Sequence, residues 1–183
     1  MSTETLVAII IAAVVVVLLV CGLVAWSVAR RRHLKKQFGP EYERVVEEEG
    51  SRSAGERELR EREQRHDALE IKPLSAADRE KYAQGWSQAQ ERFVDRPEEA
   101  VHEADRLVTA LMSERGYPTK GFEQRVSDLS VEHGQTLENY RSAHEVSDRS
   151  SRHQATTEEL RSAMVRYRTL FDELLHDDHR PQG

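Results

Sequence analysis

Two Glu-x-x-His pairs, Glu63-Gln-Arg-His66 and Glu99-Ala-Val-His102, carry the sharpest chemical suggestion in the sequence. That spacing sets a carboxylate and an imidazole on one helix face, the way helical di-iron bundles present ligands from facing helices. With 24 Glu and eight His among 183 residues, about one such match arises by chance. Glu63 and His66 also fall in a stretch with no apolar wall to keep a site dry. The run His176-Asp-Asp-His179 would hold a divalent ion only loosely, because a free tail lacks the outer hydrogen bonds that fix ligand geometry. No metal and no other cofactor is expected.

The segment Asp128-Leu-Ser-Val-Glu-His133-Gly134, with Tyr140, Arg141 and His144, gathers polar groups beside a helix break. A small-ligand or acid-base site would form there if Asp128, His133 and His144 converged; helix capping at a bundle corner is the plainer reading and is preferred. Trp86 and Phe93 could line a pocket, but aromatic residues at helical spacing read first as core. Nucleophilic and nucleotide chemistry find no support. Cys21 lies in an apolar run, there is no G-x-S-x-G turn, and the nine glycines form no phosphate-binding loop. No catalytic residue is named and enzymatic activity is not expected.

The elements that must position these residues begin with Leu6 to Val28, 23 residues without a charge. At about 1.5 Å per residue this spans a hydrocarbon core of about 30 Å, and lipid enforces the helix despite the Val14 to Val17 run. Trp26 falls at the interface as an anchor. Arg30, Arg31, Arg32, Lys35 and Lys36 follow at once, whereas residues 1–5 offer only Glu4. The positive-inside rule therefore puts the N-terminus outside and the remainder in the cytoplasm, with the basic residues fixing orientation and available to anionic lipid headgroups. A cleavable signal peptide wants a basic start and a shorter apolar core. MSTET has neither Lys nor Arg, and three arginines after a Ser27-Val28-Ala29 cut are unfavourable. Val20 stands where a lipoprotein before Cys21 needs Gly, Ala or Ser. Ala8 and Ala12 form a small-xxx-small pair through which two copies could associate.

After the basic segment 29–37, the chain reads as helices with recognisable stops. Gly39-Pro40 breaks the first helix, and Glu41 to Glu49 forms a short acidic one. Residues 52 to 70 are almost all charge, with Leu59 and Leu69 their only large apolar residues, so 38–72 is expected to be a solvated helical spacer. A packed bundle is expected over 73–176, followed by a tail at 177–183. Ser75 to Asp78 resembles a capping box before Tyr82, Trp86, Ala89 and Phe93. Pro97 opens a helix carrying Ala100, Ala104, Leu107 and Leu111, which Gly116-Tyr117-Pro118 ends. Shorter helices follow around Phe122 to His133 and Leu137 to His144, with a loop at 147–155. Thr156-Thr-Glu-Glu159 caps the last helix, where Leu160, Met164, Tyr167, Phe171 and Leu174 form the strongest stripe. No period-two alternation exists, so the class is all-α: one transmembrane helix, a charged spacer helix and a small bundle pairing the Tyr82 stripe with the Leu160 stripe.

The strings FGPEYERVV (38–46), LEIKPLS (69–75), ERFVD (91–95), RGYP (115–118), DLSVEHG (128–134), YRSAHEV (140–146), TEELR (157–161) and YRTLFDELL (167–175) carry a resemblance. Trp86 and the Ala-Asp of 104–105 belong to it too. Across 38 to 175 the chain resembles a family of uncharacterised bacterial, often actinobacterial, single-pass membrane proteins. The resemblance implies a membrane-tethered helical domain and carries over no functional residue; 22 Arg against five Lys accords with a GC-rich bacterial genome.

Residues 37–183 hold 22 basic and 32 acidic side chains, a balance that phosphate repels, so nucleic acid is not an expected partner. A lone cysteine closes no loop, which excludes a disulfide-built secreted domain. The expectation is a plasma-membrane protein with a cytoplasmic protein-interaction or scaffold module, its partners the bilayer and another protein, with homo-oligomers possible. The competing readings are a sensor or enzyme with a small-ligand site in the bundle, or a secreted domain if the N-terminal segment is cut.

Overall fold

The computed structural model describes residues 3–177, with side chains from Ala13 onward. The Ala8 and Ala12 pair and the Asp178 and His179 end of the C-terminal His-Asp-Asp-His run lie outside that description. Among the described residues there are eight helices and no strand: α1 Thr3–Phe38, α2 Pro40–Glu48, α3 Arg52–Asp67, α4 Ala76–Arg92, α5 Pro97–Arg115, α6 Phe122–His133, α7 Leu137–Ser150 and α8 Thr157–His176. The fold is all-α as the periodicity implies. Over Ala13–Phe38, α1 is long and apolar enough to cross a membrane by length and composition, a test that a signal sequence also meets. Leu18, Leu19 and Leu23 are each more than 60% exposed, an apolar surface that lipid accepts and water opposes.

Local chemistry sets the helix ends. The Ser75 hydroxyl accepts from the Asp78 amide at 3.0 Å to start α4. Pro97 sits in the first turn of α5, and Gly116 ends it in the left-handed region. Thr156 and Glu159 close a reciprocal capping box on α8, satisfying amides that a helix start otherwise leaves unpaired. Apolar stripes then assemble the main core, in which α5 packs against α4, α7 and α8. Trp86 of α4 stacks on Phe171 of α8, ring centroids 4.6 Å apart, so the two expected stripes do meet. Val126 and Leu129 bring α6 into the same core.

A second core changes the account of residues 38–72. Leu34 and Phe38 of α1, Tyr42 and Val45 of α2, Leu59 of α3 and Val131 of α6 are all buried together. The spacer is helical, but it is not solvated: α3 packs on α2, on α6 and on the end of α1. The stripe Leu34, Phe38, Tyr42, Val45 continues at spacings of four, four and three across the Gly39 turn, where a φ of 54° suits glycine. Two glycines substitute for a broad apolar face. A Cβ on Gly55 would lie 2.7 Å from the Val46 Cα, and one on Gly134 would lie 2.5 Å from the Phe38 carbonyl oxygen. These contacts let α3 reach α2 and α6 reach α1 at backbone distance.

Charges complete this packing. Glu41, with its side chain only 2% exposed, accepts hydrogen bonds from Arg141 at 2.7 and 2.6 Å and from Arg62 at 3.2 Å. One carboxylate thus ties α2 to α3 and α7. Leu69, Ile71 and Leu74 of the following connector pack on the main core, so the folded unit begins inside α1 rather than after Pro73. The expected loop at 147–155 is shorter as well, because α7 continues to Ser150. Tyr140, Ala143, Ser147 and Ser150 are all buried, and small serines continue that face where α7 lies close to α5.

Candidate functional site

A cleft of about 730 Å³ is walled by the end of α1, the end of α3, the connector and α6. Its charged and imidazole lining comes from His33, Lys36, Glu63, His66, Asp67 and Glu132. At its rim His33 Nε2 lies 2.8 Å from Glu63 Oε1. Deeper in, His66 is 6% exposed, and its Nε2 is 3.6 Å from Glu132 Oε2. The Tyr117 hydroxyl donates to the same Glu132 oxygen at 2.8 Å; burial first, then the glutamate charge, raises the Tyr117 phenol well above its ordinary value.

Next to Glu132 the chain turns inward at His133, also 6% exposed. His133 Nδ1 is 3.0 Å from Glu173 Oε2, and a carboxylate only accepts, so Nδ1 carries the hydrogen. The Thr136 hydroxyl donates to that oxygen at 2.9 Å. Asp177, at the end of α8, accepts from Arg115 at 2.8 Å. Arg115 is fully buried and also donates to the Leu174 carbonyl at 3.0 Å. Ligand atoms from Glu132, His133 and Asp177 lie within 4.8 Å of one another.

The other candidate residues find separate partners. Asp128 is buried and accepts from Gln124 at 2.8 Å; burial pushes its carboxyl above the usual range, against the pull of Gln124 and of Arg65. His144 stacks on Phe122, ring centroids 3.9 Å apart, and its Nδ1 lies 3.2 Å from Asp105 Oδ1. Asp128, His133 and His144 therefore build no common site. The two Glu-x-x-His pairs do not face each other either. Glu63 and His66 line the cleft, whereas Glu99 pairs with Arg96 and His102 lies 3.1 Å from the Ser147 hydroxyl.

Asp105 anchors a second polar network inside the bundle, accepting from the Tyr167 hydroxyl at 2.9 Å. Burial would raise its carboxyl, but the bonds from His144 and Tyr167 and the Arg125 charge outweigh that and hold it below the ordinary value. A depressed carboxyl stabilises the fold above its unfolded value of about 3.9, and that contribution vanishes as pH falls through the folded value. Asp105→Ala strands the buried Tyr167 hydroxyl and is expected to cost about 1–3 kcal/mol at neutral pH. Thermal melting of both proteins against pH checks this: the gap between them should narrow below about pH 4, and a constant gap overturns the assignment.

The basic residues after the apolar run are divided by the fold. Arg30 covers the exposed Trp26, its guanidinium carbon 4.9 Å from the ring centroid. Arg32 and Lys36 are exposed. Arg31 is half-buried and interacts with Tyr42 of α2. Lys35 pairs with Glu43 and lies 4.9 Å over the Tyr42 ring. The acidic α2 is less available than its composition implies, since Glu41 is buried, Glu43 is taken by Lys35, and Glu48 pairs with Arg44 at 2.8 Å. The sequence points to His66 and His133 in other settings and to Asp177 only within the His176-Asp-Asp-His179 run, while Glu132 is signalled only by the adjacent Glu-His of 132–133 and Glu173 by nothing. No family model, curated protein or solved structure matches the chain.

Proposed function

We propose that the chain is a single-pass plasma-membrane protein, N-terminus outside, whose acidic helical domain is held against the cytoplasmic face and works there as a protein-interaction module. The observation that carries this is the continuity of α1 from its apolar segment into the second core, where Leu34 and Phe38 are 1% and 0% exposed. Leu34 lies six residues after Val28, about 9 Å along the helix, so the domain starts at the headgroup layer instead of at the end of an arm. A mobile tether would let the domain search; a helix locked into the core presents one face to the membrane and the other to partners. Arg30, Arg32 and Lys36 remain placed for anionic lipid, with Trp26 at the interface. Glu47 on α2 and Glu49 at its end stay exposed and suit a basic partner surface.

Protease treatment of spheroplasts carrying a C-terminal tag tests this reading. The expected result is a full-length, membrane-bound and protected tag, with cytosolic proteins captured by crosslinking to α2. A digestible tag, or a shortened chain in the medium, overturns it in favour of an extracytoplasmic domain.

A further inference from the structure

We propose that His66, Glu132, His133 and Asp177 bind one divalent transition-metal ion of the zinc type beside the cleft, whose wall includes His66 and Glu132. The site is distinct from the protein-interaction reading and lies where α3, α6 and the end of α8 meet. Ligand atoms of Glu132, His133 and Asp177 already lie within 4.8 Å of one another. His66 is an independent pointer: it is 94% buried by its 6% exposure, its Nε2 makes no hydrogen bond, and that atom sits 3.6 Å from Glu132 Oε2. Zinc held at about 2.0–2.1 Å by four tetrahedral ligands puts neighbouring ligand atoms about 3.3 Å apart. The His66 and Glu132 atoms are near that separation, and a side-chain rotation of His66 is what joins it to the group that Glu132 already forms with His133 and Asp177.

His133 supplies the second unpartnered nitrogen. Its Nε2 is buried without a hydrogen bond, while Nδ1 donates to Glu173 at 3.0 Å. A carboxylate behind the far nitrogen is the arrangement by which metal-binding histidines are oriented and made more basic. Glu132 is held by the Tyr117 hydroxyl and Asp177 by Arg115, so each carboxylate also has an outer donor. Charge favours a cation: Asp67, Glu132, Glu173 and Asp177 lie about the two histidines, against the buried guanidinium of Arg115 and the cleft-lining Lys36. Two imidazoles with two carboxylates suit zinc-like ions; calcium and magnesium prefer all-oxygen sets. Bound there, the ion cross-links α3 of the membrane-proximal core to α6 and α8 of the bundle.

The full chain, purified in detergent with a tag that contains no histidine and stripped with chelator, is titrated with Zn²⁺ and separately with Co²⁺. One ion per chain is expected, with a higher melting temperature and a Co²⁺ visible spectrum of four-coordinate type. His66→Gln, His133→Gln and Glu132→Gln should each weaken binding at least about tenfold, whereas His176→Gln and His179→Gln should leave it unchanged. Binding that is absent, that is lost with His176 or His179 instead, or that survives all three cluster variants overturns the proposal. The wild-type Co²⁺ spectrum keeps the test decisive even where a variant folds poorly.

Discussion

Glu41→Ala is expected to lower the stability of the folded unit by about 3–5 kcal/mol, the range for removing one partner of a buried ion pair. The carboxylate side chain is 2% exposed and its two arginines only 13% and 15%. Three hydrogen bonds at 2.6 to 3.2 Å vanish together, and Arg141 loses its carboxylate partner where water reaches it poorly, while Arg62 keeps Glu58 at 2.9 Å. In a chain of this size that corresponds to a fall in melting temperature of roughly 6–20 °C. The exposed pair of Arg44 with Glu48 is the internal control, because screened surface pairs contribute about 0–1 kcal/mol. Combined replacement of Glu41, Arg62 and Arg141 by methionine should restore most of the loss, since the penalty lies in stranded charge and not in missing attraction. Thermal melts of the three proteins decide it. A Glu41→Ala effect no larger than Glu48→Ala would show that the buried pairings do not hold α2, α3 and α7 together.

Phe38→Ala is the second large effect, at about 3–5 kcal/mol for truncating a fully buried phenylalanine. Its importance lies in where the loss is felt. Phe38 ends α1 and its carbonyl oxygen is the atom that Gly134, just after α6, approaches, so the variant weakens the junction between the apolar helix and the bundle while leaving the Trp86 and Phe171 stack untouched. Local opening of that junction should rise more than a hundredfold, given about 1.4 kcal/mol per factor of ten. Limited trypsin digestion reads this directly, because Arg31, Lys35 and Lys36 lie on the last turns of α1 and are cut only when it undocks. Faster cleavage there, with the main core still protected, is expected. Cleavage at the wild-type rate would mean that α1 is attached by the chain alone.

Residues acting within one or two turns were legible from the chain itself. Proline and glycine stops, the Ser75 and Thr156 caps, and the Leu160 to Leu174 stripe place helices whose ends agree with the structure, because capping and amphipathicity depend on near neighbours. The 23-residue apolar run was equally plain, since length and absence of charge are properties of the segment alone. The stripe from Leu34 to Val45 was readable in principle but was hidden by the Gly39-Pro40 turn and by the basic residues interleaved with it. Ser147 and Ser150 concealed the end of α7 for a related reason: a small polar residue reads as loop in sequence, yet fills a close helix contact.

The sequence by itself determined the helical class, the helix ends and the one apolar helix. Only the tertiary structure decided which charges lie inside. Glu41 meets Arg141 across 100 residues of chain, and Glu132 and His133 of α6 meet Asp177 at the end of α8, with His66 of α3 beside Glu132. A buried polar group is stable only through partners that satisfy it. Those partners come from other helices, so the charge-rich α3, which reads as a solvated arm, becomes one wall of the cleft.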